Sequence, residues 1–265
     1  MFFNSSNSSP ANVSKLSANA TSFLKGDKDI TLICVHGFTG SSHDFSIVAP
    51  YLKNLFNINC ISLSLPGHTG KIEDLKAIQY QDWLNVIQGH IDSCLEKNHQ
   101  VHLMGLSMGG SLAMIIAAQL QDKIKSMTLF SPAIWIINRK QDLALYYLSK
   151  LPRFLIPNIT IKKDKKKNEV LLFESYPLQA LAEYKKVTLL AKDALPKINC
   201  PSLVIYSDDD DVISPKSSQF IYKHNKNKIN HILNLKHAGH IIPMIQDQEQ
   251  ASMLNALKTF YTEIF

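Results

Sequence analysis

The sequence predicts an α/β protein built on a doubly wound, mostly parallel sheet, with one insertion late in the sheet. Three observations lead there. Apolar strand-like runs alternate with amphipathic helical segments from about residue 20 onward. Several of these runs are apolar throughout, as strands buried on both faces must be. The alternation breaks once, after Pro132, and resumes at Ser202.

In chain order, residues 20–24 and 30–35 read as strands joined by a turn at Gly26 and Asp27. The second empties into His36-Gly37-Phe38-Thr39-Gly40. A helix carrying Phe45, Val48, Ala49 and Leu52 follows, then a strand at 58–63 that ends in Leu65-Pro66-Gly67-His68. Over 82–97, Trp83, Val86, Ile87, Ile91 and Cys94 recur at helical spacing and mark a core-facing helix. A strand at 101–104 leads into Gly105-Leu106-Ser107-Met108-Gly109, and the small and apolar residues 110–118 leave it with helical character. A strand is expected at 126–130. After the break come a strand at 202–206, a helix near 215–223, a strand at 232–235 and a closing amphipathic helix near 248–265. The chain therefore divides into a flexible N-terminal tail at 1–19, a core at 20–133 and 185–265, and a cap or lid at 134–184.

Composition narrows the function classes. Apolar residues make up 45% and charged ones 19% of the 265 residues, which is ordinary for a globular chain with a sizeable core. No run approaches the roughly 18 apolar residues of a membrane span. The net charge is +6, but Arg139 and Arg153 are the only arginines, and planar recognition of phosphates or bases favours arginine. No nucleic acid partner is expected. Cys34, Cys60, Cys94 and Cys200 sit far apart in apolar segments, as buried reduced thiols do, and their spacing forms no zinc site. The Ser- and Asn-rich start lacks the basic and apolar regions of a secretory signal, so a cytoplasmic location is expected.

The stretch that carries chemistry is Gly105 to Gly109. Strand, sharp turn and helix around G-x-S-x-G form a nucleophile elbow, with Ser107 at its strained apex. A Cβ at Gly105 or Gly109 would collide with neighbouring backbone. The helix behind Ser107 opens with unpaired N–H groups and a positive dipole end. A serine that attacks a carbonyl needs a base, and the base needs an orienting group. Two loops after later strands supply them: Asp208-Asp209-Asp210-Asp211, then His237-Ala238-Gly239-His240. In a doubly wound sheet both would lie at the carboxyl ends of strands.

These motifs together resemble the α/β-hydrolase-fold serine esterases, in particular the small bacterial carboxylesterase and monoacylglycerol lipase group. The matching stretches are VHGFTGS (35–41), LPGHTG (65–70), QDW (81–83), GLSMGG (105–110), SDDDDVISP (207–215) and HAGHIIPMIQDQ (237–248). The resemblance implies the α/β-hydrolase fold with its cap inserted after the sixth core strand. It makes Ser107 the nucleophile and His240 the general base, in preference to His237. The acid falls on Asp210 in a pattern like G-x-x-D-x-x-x-x-P. Ser207 replaces the usual glycine there, so Asp211 and Asp208 stay open as rivals. The backbone N–H groups of Phe38 and Met108 would form the oxyanion hole. His36 and His68 are expected to hold loop backbone, and no metal or cofactor is called for.

An apolar cap favours an acyl chain over a polar substrate. Tyr146, Tyr147 and Phe154 either line the acyl pocket or form the core of the insert. The lysine-rich run at 162–167 is a solvated turn, or else it draws the cap weakly to anionic membrane surfaces. The implied activity is hydrolysis of short- to medium-chain acyl esters or lipids. The alternatives are a hydrolase of carbon–carbon or thioester bonds with the same triad, or an inactive ligand-binding member of the fold.

Overall fold

Strand formation follows the apolar runs closely. The computed structural model describes residues 20–68, 71–162, 175–225 and 230–265. The tail at 1–19, Thr69 and Gly70 of the LPGHTG stretch, and Lys163 to Lys167 of the lysine run lie outside the described residues. Strand β1 is Ser22–Leu24 and β2 is Ile30–Val35, the latter buried from Thr31 onward. Helix α1, Val48–Phe56, leads to β3, Asn59–Ser62. Helices α2 (Ile72–Ala77) and α3 (Tyr80–Leu95) precede β4, Gln100–Leu106. Helix α4, Met108–Leu120, returns the chain to β5, Ile124–Phe130.

The region that breaks the alternation holds α5 (Arg139–Lys150) and a short antiparallel hairpin of β6 (Thr160–Lys162) and β7 (Ser175–Pro177). The Asn138 side chain starts α5 by accepting the N–H groups of Lys140 and Gln141. Helix α6, Leu178–Ala194, then leads back to β8, Ser202–Ser207. Helix α7 (Pro215–His224), β9 (Asn230–Leu235) and α8 (Gln250–Ile264) complete the chain.

The main sheet has the order β1-β3-β2-β4-β5-β8-β9, parallel except where β1 runs against β3. The chain winds outward from β2 to β3, then crosses back to β4 on the other side of β2. The carboxyl ends of β2 and β4 therefore flank a topological switch point, where ligands bind in open α/β sheets. Two apolar layers cover the sheet. One joins Trp83, Ile87 and Ile91 of α3, Leu112 of α4 and Val187 of α6. The other joins Val48 and Leu52 of α1 to Met253, Leu257 and Phe260 of α8. Helix α4 is buried from Met108 through Ala118 because it lies between the sheet and α6.

The fold differs from the sequence expectation at three points. Strand β1 pairs with β3 and not with β2, which is joined to it in sequence. Among the described residues only five strands precede the insert, because β1 alone comes before β2, so it follows the fifth of them and not a sixth. Helix α6 runs unbroken through the boundary expected between 184 and 185. Two charged side chains of this stretch, Glu183 and Lys185, are buried in ion pairs. Glu183 pairs with Lys186 at 2.8 Å and Arg153 at 3.6 Å, and Lys185 pairs with Asp142 at 2.8 Å.

Candidate active site

Ser107 joins the end of β4 to the start of α4 with φ +54 and ψ −116, a conformation that L-residues avoid. The surroundings over-determine it. The Ser107 N–H donates to the Phe130 carbonyl at 2.9 Å, and the Ser107 carbonyl accepts from Ser111 and Ala133, each at 3.2 Å. The Ser111 hydroxyl ties the same turn to the Ala133 carbonyl at 2.6 Å. A side chain at Gly109 would overlap the Val35 carbonyl, and one at Gly105 would overlap the Gly109 carbonyl. The expected role of both glycines is thus a matter of space: α4 lies directly against β2 and β4.

The acid and histidine loops pair in register. Lys236 Nζ lies 2.9 Å from Asp208 Oδ2, His237 Nδ1 lies 2.9 Å from Asp209 Oδ2, and His240 Nδ1 lies 2.8 Å from Asp210 Oδ2. Burial separates the three. The Asp210 side chain is 2% exposed and that of His240 13%, against 58% for Asp209 and 69% for His237. The other Asp210 oxygen accepts the N–H groups of Val212 and Ile213, at 2.9 and 2.8 Å. Burial pushes the Asp210 carboxyl upward, but the His240 hydrogen bond and charge, with the Ile213 N–H, hold it below the ordinary carboxylate range. Asp208 is also lowered, by hydrogen bonds from Lys236 and Asn234. Repulsion along the four aspartates, which could have raised one of them, gives way there to these partners. With its Nδ1–H held by Asp210, the His240 ring presents the lone pair of Nε2 on its opposite side.

The loop after β2 passes against Ser107: a Cβ built on Gly37 would lie 3.3 Å from Ser107 Cβ. Phe38 follows on this loop, and Met108 opens α4, where the first N–H groups have no partner within the helix. Two neutral histidines brace the loop. His36 Nε2 accepts the Leu65 N–H at 3.0 Å, and His68 Nε2 accepts the Thr39 N–H at 3.1 Å. Burial lowers His68 to about 4 and His36 well below its usual value, so both keep these acceptor roles at neutral pH. Trp83, read as core, is fully buried, and its indole N–H donates to the Pro66 carbonyl at 3.0 Å.

Asp44 is a residue that sequence reasoning missed. Its carboxyl packs against Gly40, where a Cβ would meet Oδ2. Burial pushes it up to about 7, partly offset by the backbone N–H groups of Ser41 and Gly37 and by the charge of His240. The folded chain thus holds a proton that the unfolded chain releases near 3.8. The associated stability is full below the unfolded value and is lost as pH rises to about 7. Asp44→Asn is expected to raise the melting temperature at pH 8, by the equivalent of about 2 kcal/mol after allowance for partial solvation. At pH 4 the variant and the parent should melt together; a lower melting temperature for the variant at pH 8 would contradict the assignment.

The cap residues do not lie as expected. Phe154 is 85% exposed and Tyr147 64%, so neither belongs to a core of the insert among the described residues. Tyr146 is 38% exposed and lines a separate cavity between α5 and α6. The apolar wall beside the Phe38 loop comes from Tyr184 of α6 and Tyr176 of β7, with ring centroids 5.4 and 5.8 Å from Phe38. Burial pushes the Tyr184 hydroxyl well up, and the charges of Asp142 and Asp210 add to this. Their only sequence signal is an aromatic at each end of the stretch that returns from the insert.

The Hydrolase_4 family, described as serine aminopeptidase S33, matches residues 26–245. A thermostable monoacylglycerol lipase of Bacillus sp. (strain H-257) is 26% identical over 239 residues, covering 87% of this chain and 90% of its own. A carboxylesterase of Bacillus subtilis (strain 168) is 23% identical over 233 residues, covering 86% and 90%. Among solved structures, one from work on the metagenome-derived lipolytic enzymes LipS and LipT superposes with a TM-score of 0.80 at 22% identity, covering 92% of this chain and 98% of the other.

Proposed function

The chain belongs to the α/β-hydrolase family described as serine aminopeptidase S33, and on that premise we propose that it is a carboxylic-ester hydrolase acting through an acyl-enzyme on Ser107. The hydrogen bond of 2.8 Å between buried Asp210 and His240 carries the reading, since it turns His240 Nε2 outward as a base. Ser107 Oγ attacks the ester carbonyl carbon while His240 takes its proton. The Phe38 and Met108 N–H groups stabilise the resulting oxyanion; each such donor is worth roughly 3 kcal/mol. Collapse of this intermediate breaks the bond to the alcohol, which leaves with the proton from His240. Water, deprotonated by the same histidine, then attacks the acyl-enzyme, and a carboxylate and free Ser107 are regenerated.

The substrate class is a short- to medium-chain acyl ester, monoacylglycerols included. The aromatic wall of Phe38, Tyr176 and Tyr184 supports it, because an apolar surface beside the reacting carbon suits an alkyl chain. Among the described residues, nine of the fifteen large exposed apolar side chains lie between Ile137 and Ile161. That concentration supports weak contact of this cap with a lipid surface; no helix among the described residues is long and apolar enough to cross a membrane. Four buried free thiols fit a reducing compartment such as the cytoplasm.

Hydrolysis of p-nitrophenyl esters from acetate to palmitate, beside monoacylglycerols of the same acids, tests the reading. The expected result is a maximum of kcat/KM at a short or medium chain, retained on the glycerol esters. No turnover of any ester by folded protein would overturn it and bring the carbon–carbon hydrolase forward.

A further inference from the structure

Between α5, α6 and the start of α7 lies a cavity of about 660 Å³, within the roughly 300–1,000 Å³ of small-molecule sites. None of Ser107, Asp210, His240 or Phe38 lines it. Trp135, Leu143 and Leu189 give it an apolar wall, while Arg139, Lys192 and Lys216 stand around it. Among the described residues the one acidic lining side chain, Asp142, is already matched by the buried ammonium of Lys185 at 2.8 Å. The Lys192 ammonium lies over the rings of Trp135 and Phe220, 5.5 and 5.9 Å from their centroids. The cavity thus combines apolar surface with three cations that its own acid does not neutralise.

A neutral ester would leave those cations unused, and an inorganic anion would leave the apolar wall unused. An alkyl carboxylate uses both. We propose that this cavity is a second ligand site that takes a fatty-acid anion, its carboxylate among Arg139, Lys192 and Lys216 and its chain against Trp135, Leu143 and Leu189. The ligand has the chemistry of a product of ester cleavage, but its binding does not depend on catalysis at Ser107.

Trp135 is one of two tryptophans, and the other, Trp83, is fully buried in the core, so indole fluorescence reports on the cavity. Titration of Ser107→Ala with decanoate is expected to change the emission saturably, and the Trp135→Phe form of that protein should lose the change. Decyltrimethylammonium should give no saturable change, and 1-decanol should bind at least tenfold more weakly than decanoate. Lys192→Gln combined with Lys216→Gln should weaken decanoate about tenfold, as expected for two exposed pairs, and leave 1-decanol unchanged. Wild-type protein carrying an alkyl phosphonate on Ser107 should still bind decanoate. In unmodified wild type fed p-nitrophenyl decanoate, a matching signal that grows as ester is consumed would identify the enzyme's own product as a source; a signal only with added decanoate would identify an outside source. Equal binding of acid and alcohol, indifference to the lysine changes, or loss of binding on phosphonylation would each overturn the proposal.

Discussion

Ser107→Ala is expected to lower kcat/KM for a medium-chain ester by roughly 10⁴- to 10⁶-fold, since the members of a nucleophile–base unit fail together. The residual rate should reflect binding and the oxyanion donors alone. Stability separates this loss from unfolding. Ser107 sits at φ +54, so alanine keeps the strain whereas glycine relieves it. Ser107→Gly should therefore be as inactive as Ser107→Ala, yet more stable by about 1 kcal/mol or more. Differential scanning calorimetry beside the rate assay checks both halves. An alanine variant that retains more than a tenth of the activity would remove Ser107 as nucleophile.

Asp210→Asn should cost about 10⁴ in kcat, because the amide no longer fixes the His240 tautomer or balances its charge during proton transfer. Asp208→Asn and Asp209→Asn should each change kcat by no more than a few-fold, as their pairs with Lys236 and His237 are exposed. A large loss at Asp208 or Asp209, with Asp210→Asn near wild type, would shift the acid within the loop. Thermal stability gives an independent reading. The Asp210 carboxyl is lowered in the folded chain, so its contribution is present above the ordinary carboxylate value and is lost as pH falls through the folded one. Asp210→Asn should remove that acid-side dependence.

What the sequence discloses follows from local rules. The elbow is legible because its glycines, small residues and flanking apolar runs are contiguous, and each answers a steric need within the same turn. The order of serine, acid and base is likewise visible. Choosing among four aspartates and two histidines depends on burial, which a run of identical residues does not encode: Asp210 points inward to Val212, Ile213 and His240, while Asp208 and Asp209 meet Lys236 and His237 in solvent. Asp44 is invisible for a related reason. Its surroundings, Gly37, Gly40 and His240, come together only when the loops after β2 and β9 are folded over one another.

The insert is the least legible part. Apolar composition says that Tyr147, Phe154 and Tyr184 could be buried, but not which of them faces inward. The answer lies in α6, whose Tyr184 falls on the stripe with Ala180, Val187 and Ala191 that packs against the core, while Phe154 belongs to a short exposed turn. Charge is no better a guide there: Glu183 and Lys185 are buried, and their pairs with Arg153 and Asp142 tie α6 to the rest of the insert.

Trapping the acyl-enzyme position tests the central claim most directly. Incubation of folded protein with an alkyl fluorophosphonate, followed by peptide mass spectrometry, should give one stoichiometric adduct on the peptide containing Ser107, absent from Ser107→Ala and slowed in Asp210→Asn. Labelling that persists in Ser107→Ala, or folded wild-type protein that takes no label while hydrolysing esters, would contradict a nucleophilic serine at the elbow.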